Sequence, residues 1–111
     1  MIVNESDWKL FRQKLPGWQE RHMESLIRKY AALLDGPGAA SDKFWSLEKC
    51  IRADQQHVGV VARMSRSKMY MNLIALLWEG VITADDLDGF SDDLREQLSF
   101  VIRERERSEA T

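Results

Sequence analysis

The chain has 111 residues, 44% hydrophobic and 31% charged, with a net charge of −2. That balance suits one soluble globular domain and excludes a polycation, a low-complexity chain or a disulfide scaffold, because Cys50 is the only cysteine. Charge is uneven. Residues 1–70 carry +4, residues 71–99 carry −6 and the remainder is neutral, so the acidic block suits either a basic partner or two charged helix starts.

The start, Met1-Ile2-Val3-Asn4-Glu5, has no basic or long apolar stretch, so no secretory signal is expected and a cytoplasmic setting is the reading. Asn4 caps a predicted first helix, Glu5 to Lys14, with a stripe of Trp8, Leu10, Phe11 and Leu15. Pro16 is expected to break it, because proline disfavours helix at the residue before it. A second helix then runs from Gly17 to Leu34 on the spacing of Met23, Leu26, Ile27, Tyr30, Leu33 and Leu34. Gly36, expected in the left-handed conformation, and Pro37 stop it. Ser41 caps a third helix, Asp42 to Asp54, whose stripe of Phe44, Leu47 and Ile51 reads as core.

Gln55 to Gly59 reads as a connection. The fourth helix begins between Val60 and Ser67, with a break near Ser65 left open, and ends at Glu79 before Gly80. Its segment Met69 to Trp78 is apolar nearly all round and must be enclosed, with Trp78 in the core. Ten residues make a helix of roughly 15 Å, about half a bilayer core, so membrane insertion is not expected. Thr83 caps a short turn with Asp86 three residues on, and Ser91 caps a last helix in which Leu94, Leu98, Val101 and Ile102 face inward. The fold class is therefore all-α: a compact bundle of four main helices plus one or two short helices. Residues 1–103 form a single helical domain, and residues 104–111 a frayed charged tail.

No reactive constellation stands out. His22, read as a surface residue, and His57, read as a loop residue, lie far apart in sequence without cysteine or carboxylate partners at zinc spacing. Aligning Gly89 with the glycine of a calcium loop puts Ala84 at the first ligand position and Arg95 at the last, where a carboxylate is needed. Cys50 reads as a packing residue, and Ser65 and Ser67 lack a nucleophile-elbow context. No cofactor and no catalytic residue is assigned, and a non-enzyme is expected. An enzyme or ligand-binding bundle would need a buried polar pocket, around His57 or Cys50.

Ser65-Arg66-Ser67-Lys68-Met69 and the helix behind it, with Glu79-Gly80-Val81-Ile82, resemble the recognition helix and wing entry of a winged helix-turn-helix protein. Arg63, Arg66 and Lys68 are the candidate nucleic-acid contacts of that alternative reading, a DNA-associated regulator. It lacks a polar face on Met69 to Trp78, and the acids after Thr83 would repel phosphate. Four tryptophans offer aromatic anchors for a core or an interface: core is the better reading of any one of them, Trp8 and Trp18 flank Pro16 where they can pin the first helix to the second, and Trp8, Trp18 and Trp45 are the candidate partner surface. The leading expectation is a protein acting through protein–protein contacts, with a protein partner or a second copy.

Several stretches together resemble a family: Trp8-x-x-Phe11-Arg12, Leu15-Pro16-x-Trp18-Gln19-Glu20-Arg21, Ala40-Ser41-Asp42-Lys43-Phe44-Trp45-x-Leu47-Glu48, Met64-Ser65-Arg66-Ser67 and Phe90-Ser91-Asp92-Asp93-Leu94. Over about residues 1–100 the chain is similar to small helical bacterial proteins, mainly from anaerobic gut-type bacteria, often labelled "multidrug transporter". The resemblance implies no catalytic motif or ligand residue. Its transporter label conflicts with the absence of any segment long and apolar enough to span lipid.

Overall fold

A computed structural model describes residues 4–110, all-α and without strands among them. Met1-Ile2-Val3, on which the reading of the N-terminus falls in part, and Thr111 lie outside the described residues. Five helices follow in order: α1 (Glu5–Asp35), α2 (Ala40–Asp54), α3 (Val58–Val61), α4 (Met69–Trp78) and α5 (Asp92–Ala110), with a 3₁₀ turn at Ala84–Leu87.

Asn4 caps α1 as expected, its Oδ1 accepting the Ser6 N–H at 2.8 Å. Pro16 does not break the helix: the two predicted helices are one, 31 residues long. Phe11 and Leu15 before Pro16, and Trp18 after it, are buried in the same core, and that packing outweighs the local penalty. Arg12 and Pro16 are both exposed, so the missing donor falls on the open side of the helix. At the other end the left-handed residue is Gly38, at φ 124°, and not Gly36, which is extended at φ −73° and ψ 176°. Pro37 accounts for the shift, since its ring pushes the preceding residue into the extended region.

The core gathers Phe11, Leu15 and Trp18 of α1 against Met69, Leu73, Leu76 and Leu77 of α4 and Leu94, Leu98 and Val101 of α5. An aromatic ladder links Trp8, Phe11, Trp18 and Phe90, with ring centroids 6.1–6.4 Å apart. The fourth predicted helix divides into α3 and α4, separated by residues 62–68. α4 ends on a glycine motif: the Val81 N–H reaches the Leu76 carbonyl at 2.9 Å and the Gly80 N–H the Leu77 carbonyl at 3.1 Å, with Gly80 at φ 75°. Enclosure of α4 is only partial, a correction to the expectation: Met71 is 65% and Trp78 50% exposed, because no helix among the described residues covers that flank. Residues 104–110 of the predicted tail are helical too, and α5 continues to Ala110. Arg105 ties its last turns down by donating to the Leu77 and Trp78 carbonyls and pairing with Glu109.

Polar side chains of α1 finish the ends of other elements. Asp7, only 3% exposed, accepts both the N–H and the hydroxyl of Ser91, at 2.7 and 2.6 Å, and Ser91 in turn caps α5 through the Leu94 N–H. Gln19 donates to the Val60 and Ala62 carbonyls at the end of α3, where no intrahelical donor remains. Arg21 donates to the Val81 carbonyl and pairs with Asp86, whose Oδ2 also accepts the Thr83 N–H. Burial pushes the Asp86 carboxyl up, but those donors outweigh it and hold it below its usual range.

Candidate interaction surface

The α1 residues of the central core, Phe11, Leu15 and Trp18, lie on its first half, and Leu26 is its last buried residue. Beyond Leu26 it runs on as one arm of a hairpin whose other arm is α2. None of the fifteen residues of α2 is buried. Phe44, Leu47 and Ile51, expected in the core, are instead on the surface. Phe44 is 64% and Ile51 38% exposed, and Leu47 is half-buried. The period of the stripe is intact, but among the described residues the main neighbour of α2 is α1, which covers one edge, with Val60 of α3 reaching only the Ile51 end.

Two depressions mark the open face. One lies between the arms and is lined by Met23, Ile27, Tyr30 and Ile51, the other by Phe44, Leu47, Ile51 and the Glu48–Arg52 ion pair. Ile51 belongs to both, so the face is continuous from Ile27 on α1 to Phe44 near the hairpin tip. Ile27, 63% exposed, and Leu34, 45% exposed, are seven residues apart and share one side of α1. Trp45, 64% exposed, flanks the face with its ring edge-on to Phe44 at 5.0 Å. The arms are joined at the tip by Lys43, which donates to the Leu34 carbonyl at 3.0 Å, and further along by Tyr30, whose hydroxyl donates to Asp54 at 2.5 Å. Burial and that hydrogen bond push the Tyr30 phenol up to about 12.

The root of the hairpin holds an unforeseen pair. His22 of α1 and His57, the N-cap of α3, stack with centroids 4.7 Å apart and planes at 16°. The expectation of a surface His22 is corrected, because its Nε2 is buried and without a hydrogen-bond partner. His57 Nδ1 accepts the Gly59 N–H at 3.0 Å, so the neutral ring carries its proton on Nε2, 3.6 Å from Glu79. Burial lowers the His22 pKa, and the neighbouring His57 lowers it further. Two stacked rings present faces rather than converging lone pairs. Among the described residues no three His, Cys, Asp or Glu side chains gather as metal ligands.

The sequence-derived partner residues separate in space. Trp45 is on the open face. Trp8 is half-buried, stacked on Phe11 with the Arg12 guanidinium 5.8 Å over its ring. Trp18, 5% exposed, sits inside the core away from any partner surface. Of the basic residues, Arg66 is engaged by Glu5 across the start of α1, whereas Arg63 and Lys68 are exposed on either side of it. Arg63, Arg66 and Lys68 all precede α4, in an irregular segment, and the exposed flank of α4 itself is the apolar Met71 and Trp78. Cys50 is exposed on α2, off the Phe44–Ile51 stripe. Sequence reasoning missed Ile27 and Leu34 as surface residues and the histidine stack altogether. The small Gly59 opposite His22 was the one trace of the latter.

No protein-family model, no curated protein and no solved structure matches the chain. Among the described residues no helix is long and apolar enough to cross a membrane.

Proposed function

We propose that this protein is a non-enzymatic, cytoplasmic interaction module that works through protein–protein contacts made by the open face of the α1–α2 hairpin. One observation carries the reading: α2 holds Phe44, Trp45, Leu47 and Ile51 and buries none of them. An apolar stripe of that kind is ordinarily covered by another layer. Covering each half-exposed large side chain regains about 1–2 kcal/mol, which makes the face adhesive in water. The rest of the molecule gives this hairpin a rigid base, through Asp7, Gln19 and Arg21.

The DNA-associated reading has less support, since Arg66 already has a carboxylate partner and α4 offers an apolar flank rather than a polar one.

The test replaces Phe44 in the full chain by the photo-crosslinking residue p-benzoylphenylalanine and irradiates it in native cell extract. The expected result is a discrete protein adduct, absent when the same residue stands at Arg103. Irradiation that leaves only unmodified chain would overturn the reading.

A further inference from the structure

We propose that the occupant of the α1–α2 face is a second copy of this chain, placed by a two-fold axis so that two hairpins run antiparallel and close into a four-helix bundle. This rests on the reading of the hairpin as a contact surface and names its partner.

The size of the molecule is the first support. A folded monomer of 12.9 kDa exposes about 6,300 Å². This chain exposes 7675 Å². The surplus, roughly 1,400 Å², exceeds the ~800 Å² that each partner contributes to a standard interface. Part of it belongs to the polar end of α5 and part to the flank with Met71 and Trp78; the hairpin contributes Ile27, Leu34, Phe44, Trp45 and Ile51 on adjoining helices. The radius of gyration tells the same story: it is 16.7 Å, against about 13 Å for a compact domain of this length.

Shape decides for self-pairing. The same face carries a projection, Phe44, and a groove between the arms that is lined by Met23, Ile27, Tyr30 and Ile51 and holds about 280 Å³. In a two-fold contact each copy's projection enters the other's groove, so both are filled at once. The antiparallel arrangement does this. Phe44 stands near the tip and Met23 near the root, and reversing one hairpin sets tip over root with Ile27, Leu47 and Ile51 at the centre. A parallel arrangement would set Phe44 on Phe44 and leave the grooves empty. It would also drive the two α4–α5 bodies into each other at the same end.

Charge agrees. Residues 20–55 hold six cations and six anions, so a second copy meets no net repulsion, whereas a strongly basic or acidic partner finds nothing to match. At the rim Glu48 and Arg52 lie four residues apart, which gives each copy one anion and one cation to exchange. Two stacked helix pairs at a shallow crossing angle make the ordinary four-helix bundle.

The experiment is sedimentation equilibrium of the purified full chain at up to about 100 µM, a range that reveals any dimer of useful affinity. The expected mass is twice 12.9 kDa. The double variant Phe44→Glu/Ile51→Glu should raise Kd by at least about a hundredfold. Its far-UV circular dichroism should be unchanged, because neither side chain is in the core. Trp78→Glu, on the other exposed apolar flank, should leave the dimer intact. A nitroxide on Cys50 should report one narrow inter-copy distance. A monomeric wild type, or a dimer that survives the double variant and yields to Trp78→Glu, would overturn the proposal. A monomer that still crosslinks through position 44 to a different protein in extract would end the dimer and keep the contact surface. Silence in both experiments would end both.

Discussion

Gly59→Ala puts two opposing effects in competition at the hairpin root. Alanine in place of glycine in a helix ordinarily stabilises by about 0.5–1 kcal/mol, since the unfolded chain loses freedom. Here the added Cβ would stand 2.4 Å from His22 Cδ2, 2.7 Å from Cγ and 2.8 Å from Nε2. Ordinary carbon contacts begin near ~3.5 Å. The ring cannot swing aside freely, because His57 is stacked on it at 4.7 Å. Overpacking of this kind costs about 1–3 kcal/mol, so the net expectation is a loss of about 1–2 kcal/mol. With a urea dependence of roughly 1–3 kcal/mol per molar, the unfolding midpoint should fall by about 1 M. Tryptophan fluorescence at one fixed protein concentration follows the transition. The sharper half of the test is the sign in a second background. In His22→Ala the obstructing ring is gone, and Gly59→Ala should then stabilise by about 0.5 kcal/mol. Equal destabilisation in both backgrounds, or a neutral Gly59→Ala in the wild type, would refute the packing account of the histidine stack.

Three further outcomes are expected. The folded His22 pKa is depressed below the ordinary value of 6.5 by burial and by His57, so the unfolded chain takes up the proton first. Stability should be full above about pH 6.5 and decline as pH falls through 6.5 toward the depressed folded value; urea midpoints measured across that window should slope less in His22→Leu, and identical slopes would contradict it. Asp7→Ala strips the acceptor from the Ser91 N–H and hydroxyl in a nearly closed site and should cost about 2–3 kcal/mol, with Ser91→Ala costing less; thermal unfolding of the pair ranks them. Pro16→Ala restores a helical donor on the exposed side of α1 and should stabilise by about 1 kcal/mol, the helix gain being partly offset by a freer unfolded chain; a lowered urea midpoint would show that the proline sets a bend the core needs.

Much of the fold was legible because local chemistry and tertiary demand agree over most of the chain. Asn4, Gly80, the Thr83–Asp86 pair and Ser91 each mark the boundary they were read to mark. The misreadings fall where the two disagree. Pro16 signals a break by a local rule, and the buried row Phe11, Leu15 and Trp18 overrides it. Gly36 looks like the left-handed residue until the effect of Pro37 on its neighbour is counted. Arg105 holds the end of α5 through carbonyls of α4, a long-range bond with no local signature. The clasps made by Asp7, Gln19 and Arg21 were invisible for the same reason.

The candidate surface was half legible, and the reason is physical. Periodicity reports that Phe44, Leu47 and Ile51 share a side of α2. It does not report what covers that side, since a stripe against the chain's own core and a stripe against another chain obey the same spacing. The structure shows the stripe uncovered, and the polar reach of α1 shows why. In its first half, Asp7, Gln19 and Arg21 each close the end of another element and lock α3, α4 and α5 around one core. Past Leu26 the cross-links among the described residues are Tyr30 to Asp54 and Lys43 to the Leu34 carbonyl, both within the hairpin itself. One half of α1 is therefore committed to folding this chain. The other half keeps an ordered apolar layer that no other described residue covers, and an ordered layer is cheaper to dock than a disordered one because its entropy is already lost.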